Sequence, residues 1–330
     1  MRSILQNMTI SLLTLIFGYA MIEVYFAVTY RPGLSTTYEN FRFESFNPPL
    51  NEAGFRQYPF DSHLFDENAV RILCLGDSVT FGFGVADGNA RFTDLLAARL
   101  DRTSVEGRRY YVYNAGVSGT EPTRWIGYLQ KLMPSYRPNI VFAIFFLRDG
   151  TNICTSFVCF NGKIAALRAK YAVGLLSKYS YVARVLEDRA VANEFNSDYE
   201  ALLRNAYLGS EIETATWRRE KTSLLALASI CRDNGIPFHM VLFPVLMSLD
   251  RYPFDAVEAE ISRFAADHAI PSFSLTPAFR NRRSADLWVG PGDQHPNARA
   301  HRIAADTLYP YLIDALARLP QPPGASNLDR

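Results

Sequence analysis

Apolar residues are spread unevenly along the chain. Met8 to Val28 (MTISLLTLIFGYAMIEVYFAV) is almost continuously apolar, and as a helix it would reach about 31 Å, enough to cross a bilayer's hydrocarbon core. Residues 31–68 are rich in Pro, Asn, Phe and Tyr with no helical or strand period, which predicts an irregular lead-in. Beyond them, short apolar runs alternate with amphipathic stretches. The runs predict strands at Arg71–Leu75, Tyr110–Tyr113, Asn139–Leu147, Phe238–Phe243 and Pro271–Leu275. The amphipathic stretches predict helices at Arg91–Leu100, Trp125–Leu132 (after a Thr120-Glu121-Pro122 start signal), Trp217–Asn234, Ala256–His268 and Ala298–Ala317. Residues 150–212 break the rhythm as an insertion, with a basic helical stretch around Ile164–Leu186 and then a Tyr- and Asn-containing linker. Strands and helices in alternation predict a doubly wound α/β sheet with its ligand site at the carboxyl ends of the strands. The expected organisation is an anchor over 1–30, a lead-in over 31–68, an α/β domain over 69–318 and a disordered tail over 319–330.

The residues after the apolar run, Thr29-Tyr30-Arg31-Pro32-Gly33, offer no small-x-small cleavage site. An uncleaved signal anchor is therefore the preferred reading over a cleaved peptide or a buried helix. Arg2 before the run and Arg31 and Arg42 after it leave its orientation open. Glu23 inside the run calls either for an interfacial position or for a polar group on a partner helix.

The composition narrows the function classes. Across 330 residues, 34 basic side chains against 33 acidic ones give a net charge of +1, which supplies no footprint for nucleic acid. Four cysteines, none in a Cys-x-x-Cys pair, argue against a zinc site or a disulfide scaffold. Cys74 and Cys231 read as buried thiols, and for Cys154 and Cys159 a disulfide stays open. His63, His239 and His268 share no ligand spacing, so no metal is expected. The basic residues of Lys163–Lys178 read as a solvated helix face, with membrane-surface contact as the other reading.

Three loops at strand ends carry the candidate chemistry. Gly76-Asp77-Ser78-Val79-Thr80-Phe81-Gly82 presents a serine at a strand exit, without the lysine of a phosphate loop or the Gly-x-Ser-x-Gly of a nucleophile elbow. Asn114-Ala115-Gly116-Val117-Ser118-Gly119 offers glycines that free backbone N–H groups. Asp293-Gln294-His295-Pro296-Asn297 places an acid two residues before a histidine at the entry to the last helix. Within these, Asp77 reads as a structural acceptor beside the serine, and His301 as a packing or capping residue.

These blocks, in this order and preceded by Asn51-Glu52-Ala53-Gly54-Phe55-Arg56, resemble the SGNH, or GDSL-type, hydrolase superfamily, and in particular its membrane-anchored bacterial members. The resemblance runs from about Asn51 to Leu316. It implies a flavodoxin-like α/β/α fold with Ser78 as nucleophile, His295 as its base and Asp293 as the group orienting the histidine. The oxyanion would be met by the backbone N–H groups of Ser78 and Gly119. Two departures stand out. Arg148 occupies the place of the family's oxyanion asparagine, with Asn152 as the reserve donor, and Asp293 precedes His295 by two residues where many members have three. Asp286 is the reserve acid, and a Ser78–His295 dyad is the remaining option.

The resemblance and the anchor together imply an acyl-ester hydrolase or O-acyltransferase acting on O-acetylated cell-envelope or exported polysaccharide, with lipid or small esters as the alternative substrates. Such a protein would be single-pass in the bacterial inner membrane, face the periplasm or exterior, and need no cofactor. The other class is a weakened or silent SGNH-fold accessory subunit, motivated by Arg148 and by a membrane-protein partner at Glu23.

Overall fold

The structure, a computed structural model, describes residues 2–30, 48–57, 69–103, 108–151, 157–172, 174–290 and 293–320. The chain forms two compact units: Met1–Arg42 with Cys154–Tyr199, and Phe43–Ile153 with Glu200–Arg330.

The larger unit is built on a five-stranded parallel sheet of order β2-β1-β3-β4-β5, with β1 Val70–Gly76, β2 Tyr110–Gly116, β3 Ile140–Phe146, β4 Phe238–Phe243 and β5 Ser272–Ser274. This is the flavodoxin-like order, with the switch point at the carboxyl ends of β1 and β3. β3 is apolar throughout and β4 is apolar except for His239, and both are buried along nearly their whole length, as strands covered on both faces must be. Right-handed crossovers send the β1–β2 and β2–β3 helices to opposite faces, because the direction of travel reverses after β2. The helix Phe92–Thr103 accordingly packs with the closing helix Ala298–Ala317, and Pro122–Tyr136 packs with Ala215–Asp233. Glu220, fully buried, accepts from Thr123 N at 3.0 Å and so caps the helix that starts at Pro122. Cys74 and Cys231 are buried free thiols, and burial pushes both up to about 12.

Two elements differ from the sequence expectation. A two-stranded antiparallel hairpin, β6 Trp288–Gly290 and β7 Asp293–Pro296, forms where a loop was expected. The helical stretch of the insertion is broken rather than continuous, and the Tyr- and Asn-containing stretch after it is helical rather than a linker. Phe157–Tyr171 ends before Gly174, whose φ of +63° suits glycine, and is followed by Leu175–Tyr179 and the long helix Tyr181–Leu208. Glu187 to Leu203 holds three Glu, three Ala and no Gly or Pro, which lets the second half continue as helix.

The smaller unit combines the N-terminal helix α1, Arg2–Thr29, with these insertion helices. Ile164, Leu167, Val191 and Phe195 form its buried cluster. Lys163 and Lys170 pair with Asp198 and Glu194 on Tyr181–Leu208 rather than standing free. Residues 4–29 are the one described helix long and apolar enough to cross a membrane, with mean hydropathy 1.8. Cys154, most of the lead-in and the tail beyond 320 lie outside the described residues, and the side chain of Cys159 is not described.

Candidate active site

Ser78 opens the four-residue helix Ser78–Phe81, which turns tightly over the ends of β1 and β2. Glycine is required at both strand ends. A Cβ on Gly76 would lie 2.0 Å from Thr80 Oγ1, and one on Gly116 would lie 2.3 Å from Phe81 N. Asn114 fastens the turn: its Nδ2 donates to Thr80 O at 2.6 Å and Thr93 Oγ1 at 2.9 Å, while its Oδ1 accepts from Gly116 N at 2.9 Å. Arg56, almost fully buried, donates to the carbonyls of Gly82, Val85 and Ala86 and pins the following loop. The lead-in motif thus shapes the site from beneath.

The β6–β7 hairpin carries the partners. His295 Nε2 lies 3.0 Å from Ser78 Oγ, and His295 Nδ1 lies 2.5 Å from Asp293 Oδ1. That carboxylate oxygen also accepts from His295 N at 3.0 Å, so one acid fixes both ring and backbone. Asp286 is directed instead toward Arg299, 3.9 Å away, and is not the acid beside the histidine. The Phe83 ring covers His295 with centroids 4.7 Å apart. Trp288 Nε1 holds the hairpin to Leu246 O at 2.6 Å, and Asn297 caps the closing helix through Arg299 N and Ala300 N.

Asp77 is the hub of the opposite side. Its Oδ1 accepts from Val79 N at 2.8 Å, and its Oδ2 lies 3.2 Å from the Ser78 hydroxyl and 3.6 Å from Arg148 Nη2. Arg148 follows β3 and reaches back over the Phe146 ring, 5.8 Å from its centroid. Next to it, the buried Asp149 accepts from Phe146 N at 2.9 Å. Burial, followed by the neighbouring Asp77 charge, holds the Asp149 carboxyl well above the usual carboxylate range. In its neutral form it can donate to the Asp77 carboxylate beside it. Asp77 fills the structural role beside the serine that the sequence suggests, its Oδ1 taking Val79 N; its pairing with Asp149 and the contacts made by Asn114 and Arg56 are not legible there, because side-chain partners of residues far apart leave no local pattern.

Gly119 sits in the exposed turn after β2 with φ +74°. Asn152, the reserve donor, lies outside the described residues. His301 packs as expected: its Nδ1 accepts from Phe92 N at 3.2 Å and its ring stacks on Phe92.

A parallel sheet in flavodoxin order, with serine, histidine and acid gathered at its carboxyl edge, defines a class of α/β hydrolytic folds. The chain belongs to the GDSL-like lipase/acylhydrolase family, whose model matches residues 74–303. Solved structures similar to it include TesA, at 16% identity with 73% of this chain and 97% of that one covered and a TM-score of 0.43. Another is the psychrotrophic esterase EstA from Pseudoalteromonas sp., at 16% identity, 75% and 98% coverage and a TM-score of 0.43. A third is the acetyl xylan esterase AlAXEase, at 13% identity, 74% and 100% coverage and a TM-score of 0.43. No curated protein matches the sequence.

Proposed function

We propose that the chain is a serine-dependent acyl-ester hydrolase or O-acyltransferase, with Ser78 as nucleophile, His295 as general base and Asp293 as the group orienting it. One observation carries this reading. Residues 217 positions apart in sequence meet in an unbroken Ser78–His295–Asp293 hydrogen-bond chain of 3.0 and 2.5 Å. Ser78 Oγ attacks the acyl carbonyl carbon while its proton passes to His295 Nε2. The resulting imidazolium is stabilised by Asp293 on the far nitrogen. Charge developing on the carbonyl oxygen is met by the N–H groups of Ser78 and Gly119, with Arg148 standing in for the family's asparagine donor. Collapse breaks the ester C–O bond, His295 returns the proton to the leaving alkoxide, and water or a sugar hydroxyl then takes the acyl group from Ser78.

The substrate class we infer is an O-acetylated cell-envelope or exported polysaccharide, consistent with the resemblance to membrane-anchored members. α1 is read as an uncleaved anchor holding the domain at the outer face of the bacterial inner membrane. In support of retention, Tyr19 and Glu23 hydrogen-bond to Ser180 and Tyr181 of the insertion, which a cleaved peptide would forfeit.

The test is active-site labelling of the full chain with a fluorophosphonate, located by mass spectrometry. Label is expected on Ser78, absent in Ser78→Ala and lowered at least about a hundredfold in rate in His295→Ala. A folded wild-type protein that takes no label would overturn the reading in favour of a silent accessory subunit.

A further inference from the structure

The smaller unit contains an unusual tie. Glu23, the one acidic residue of α1, accepts from the hydroxyl of Ser180, from Tyr181 N at 2.7 Å and from Val182 N at 3.4 Å, while Tyr19 OH lies 2.8 Å from Ser180 Oγ. The first N–H groups of a helix have no intrahelical acceptor, and a carboxylate in an apolar span needs donors, so each supplies what the other lacks. The tie also fixes a position. Glu23 precedes the helix end at Thr29 by six residues, about 9 Å along the axis. The junction between Leu175–Tyr179 and Tyr181–Leu208 is thus held alongside the span, short of its end.

What this junction displays matches that depth. Leu176, Tyr179 and Leu186 are 65%, 74% and 60% exposed, next to an α1 whose own apolar surface is unburied. The Lys178 ammonium lies 5.4 Å from the centroid of the Tyr179 ring, and the Arg184 guanidinium 4.8 Å from that of the Tyr181 ring. Exposed aliphatic side chains flanked by tyrosines and long basic side chains suit the border between acyl chains and headgroups.

We propose that Leu175–Tyr179 and the first two turns of Tyr181–Leu208 form an interfacial membrane element, seated in the lipid beside α1 and held at depth by Glu23. Its ligand is the bilayer surface. This rests on α1 crossing the membrane, and the experiment separates the two claims. In the full chain carrying Cys154→Ser and Cys159→Ser, with Cys74 and Cys231 buried, a nitrobenzoxadiazole probe is placed on Leu176→Cys, Tyr179→Cys or, within the span, Leu12→Cys. Each protein is reconstituted in phosphatidylcholine–phosphatidylglycerol vesicles with and without brominated phosphatidylcholine. Blue-shifted emission and bromine quenching at 176 and 179 as well as at 12 are the expected result. Quenching at 12 with water-like emission at 176 and 179 overturns the interfacial element and leaves the anchor. Blue-shifted probes at 176 and 179 that bromine does not quench mean that protein covers this face, and also overturn it. Absence of quenching at 12 overturns the anchor and the element together.

Discussion

At the scale of single residues, Asp77 accepts from the Val79 amide and lies 3.2 Å from the Ser78 hydroxyl and 3.6 Å from Arg148 Nη2, and burial and the Asp77 charge hold the neighbouring Asp149 carboxyl above the usual carboxylate range. An asparagine amide can donate towards Asp77 and accept from Phe146 N, as a carboxylic acid does, with one further N–H to place. Asp149→Asn is therefore expected to keep Ser78 labelling within about threefold of wild type. Asp149→Leu leaves Phe146 N and one Asp77 acceptor unpaired, and should lower stability by about 1–3 kcal/mol. Thermal unfolding and probe labelling of the two variants check this. Ser78, Asp293 and His295 were legible as candidates because their residue types and order are distinctive. The ionisation of Asp149 was not, since it depends on burial and on a neighbouring charge that only folding brings near.

Among the elements, the tightest fit is between the nucleophile turn and the end of β2. Gly116→Ala would drive a methyl group into Phe81 N and the Thr80 carbonyl carbon, atoms of backbone that cannot swing aside. We expect a loss of about 1–3 kcal/mol in stability, together with loss of labelling out of proportion to it, measured by melting and by fluorophosphonate reaction on the protein that remains folded. The central strands were readable because uninterrupted apolar runs such as IVFAIFF have few other places to go than the middle of a sheet. The β6–β7 hairpin was not, because Trp288–Gly290 and Asp293–Pro296 are too short to show alternation. Tyr181–Leu208 was read only in its first turns, since its apolar residues gather on no single face. Propensity in its second half was the better guide.

For the molecule as a whole, buried histidines set the response to acid. Burial, with the nearby Arg91 and Arg56 charges, lowers His301 to about 3, and burial with Arg318 lowers His239 to about 4. Both are neutral when folded, whereas the unfolded chain binds their protons below about pH 6.5. Their contribution is thus complete above that pH and is lost as pH falls towards 4 and 3. His301 alone accounts for about 1.4 kcal/mol per pH unit in that window. Urea unfolding of the detergent-solubilised chain at pH 7 and pH 5 should show the decline, and His301→Gln, which keeps an acceptor for Phe92 N, should be less pH-dependent by one proton.

The tie between Glu23 and Tyr181 also constrains how the protein is made. The two residues are 158 positions apart, so at ribosomal speed about 8 to 30 s separate their synthesis. In that interval most of the sheet strands are translated while the carboxylate's eventual amide donors do not yet exist. Tyr19, one turn earlier on the same helix and 2.6 Å from Glu23 Oε1, is the one donor present from the start. The same contact is open to the nascent helix, whose acid would then be satisfied in part before Tyr181 is made.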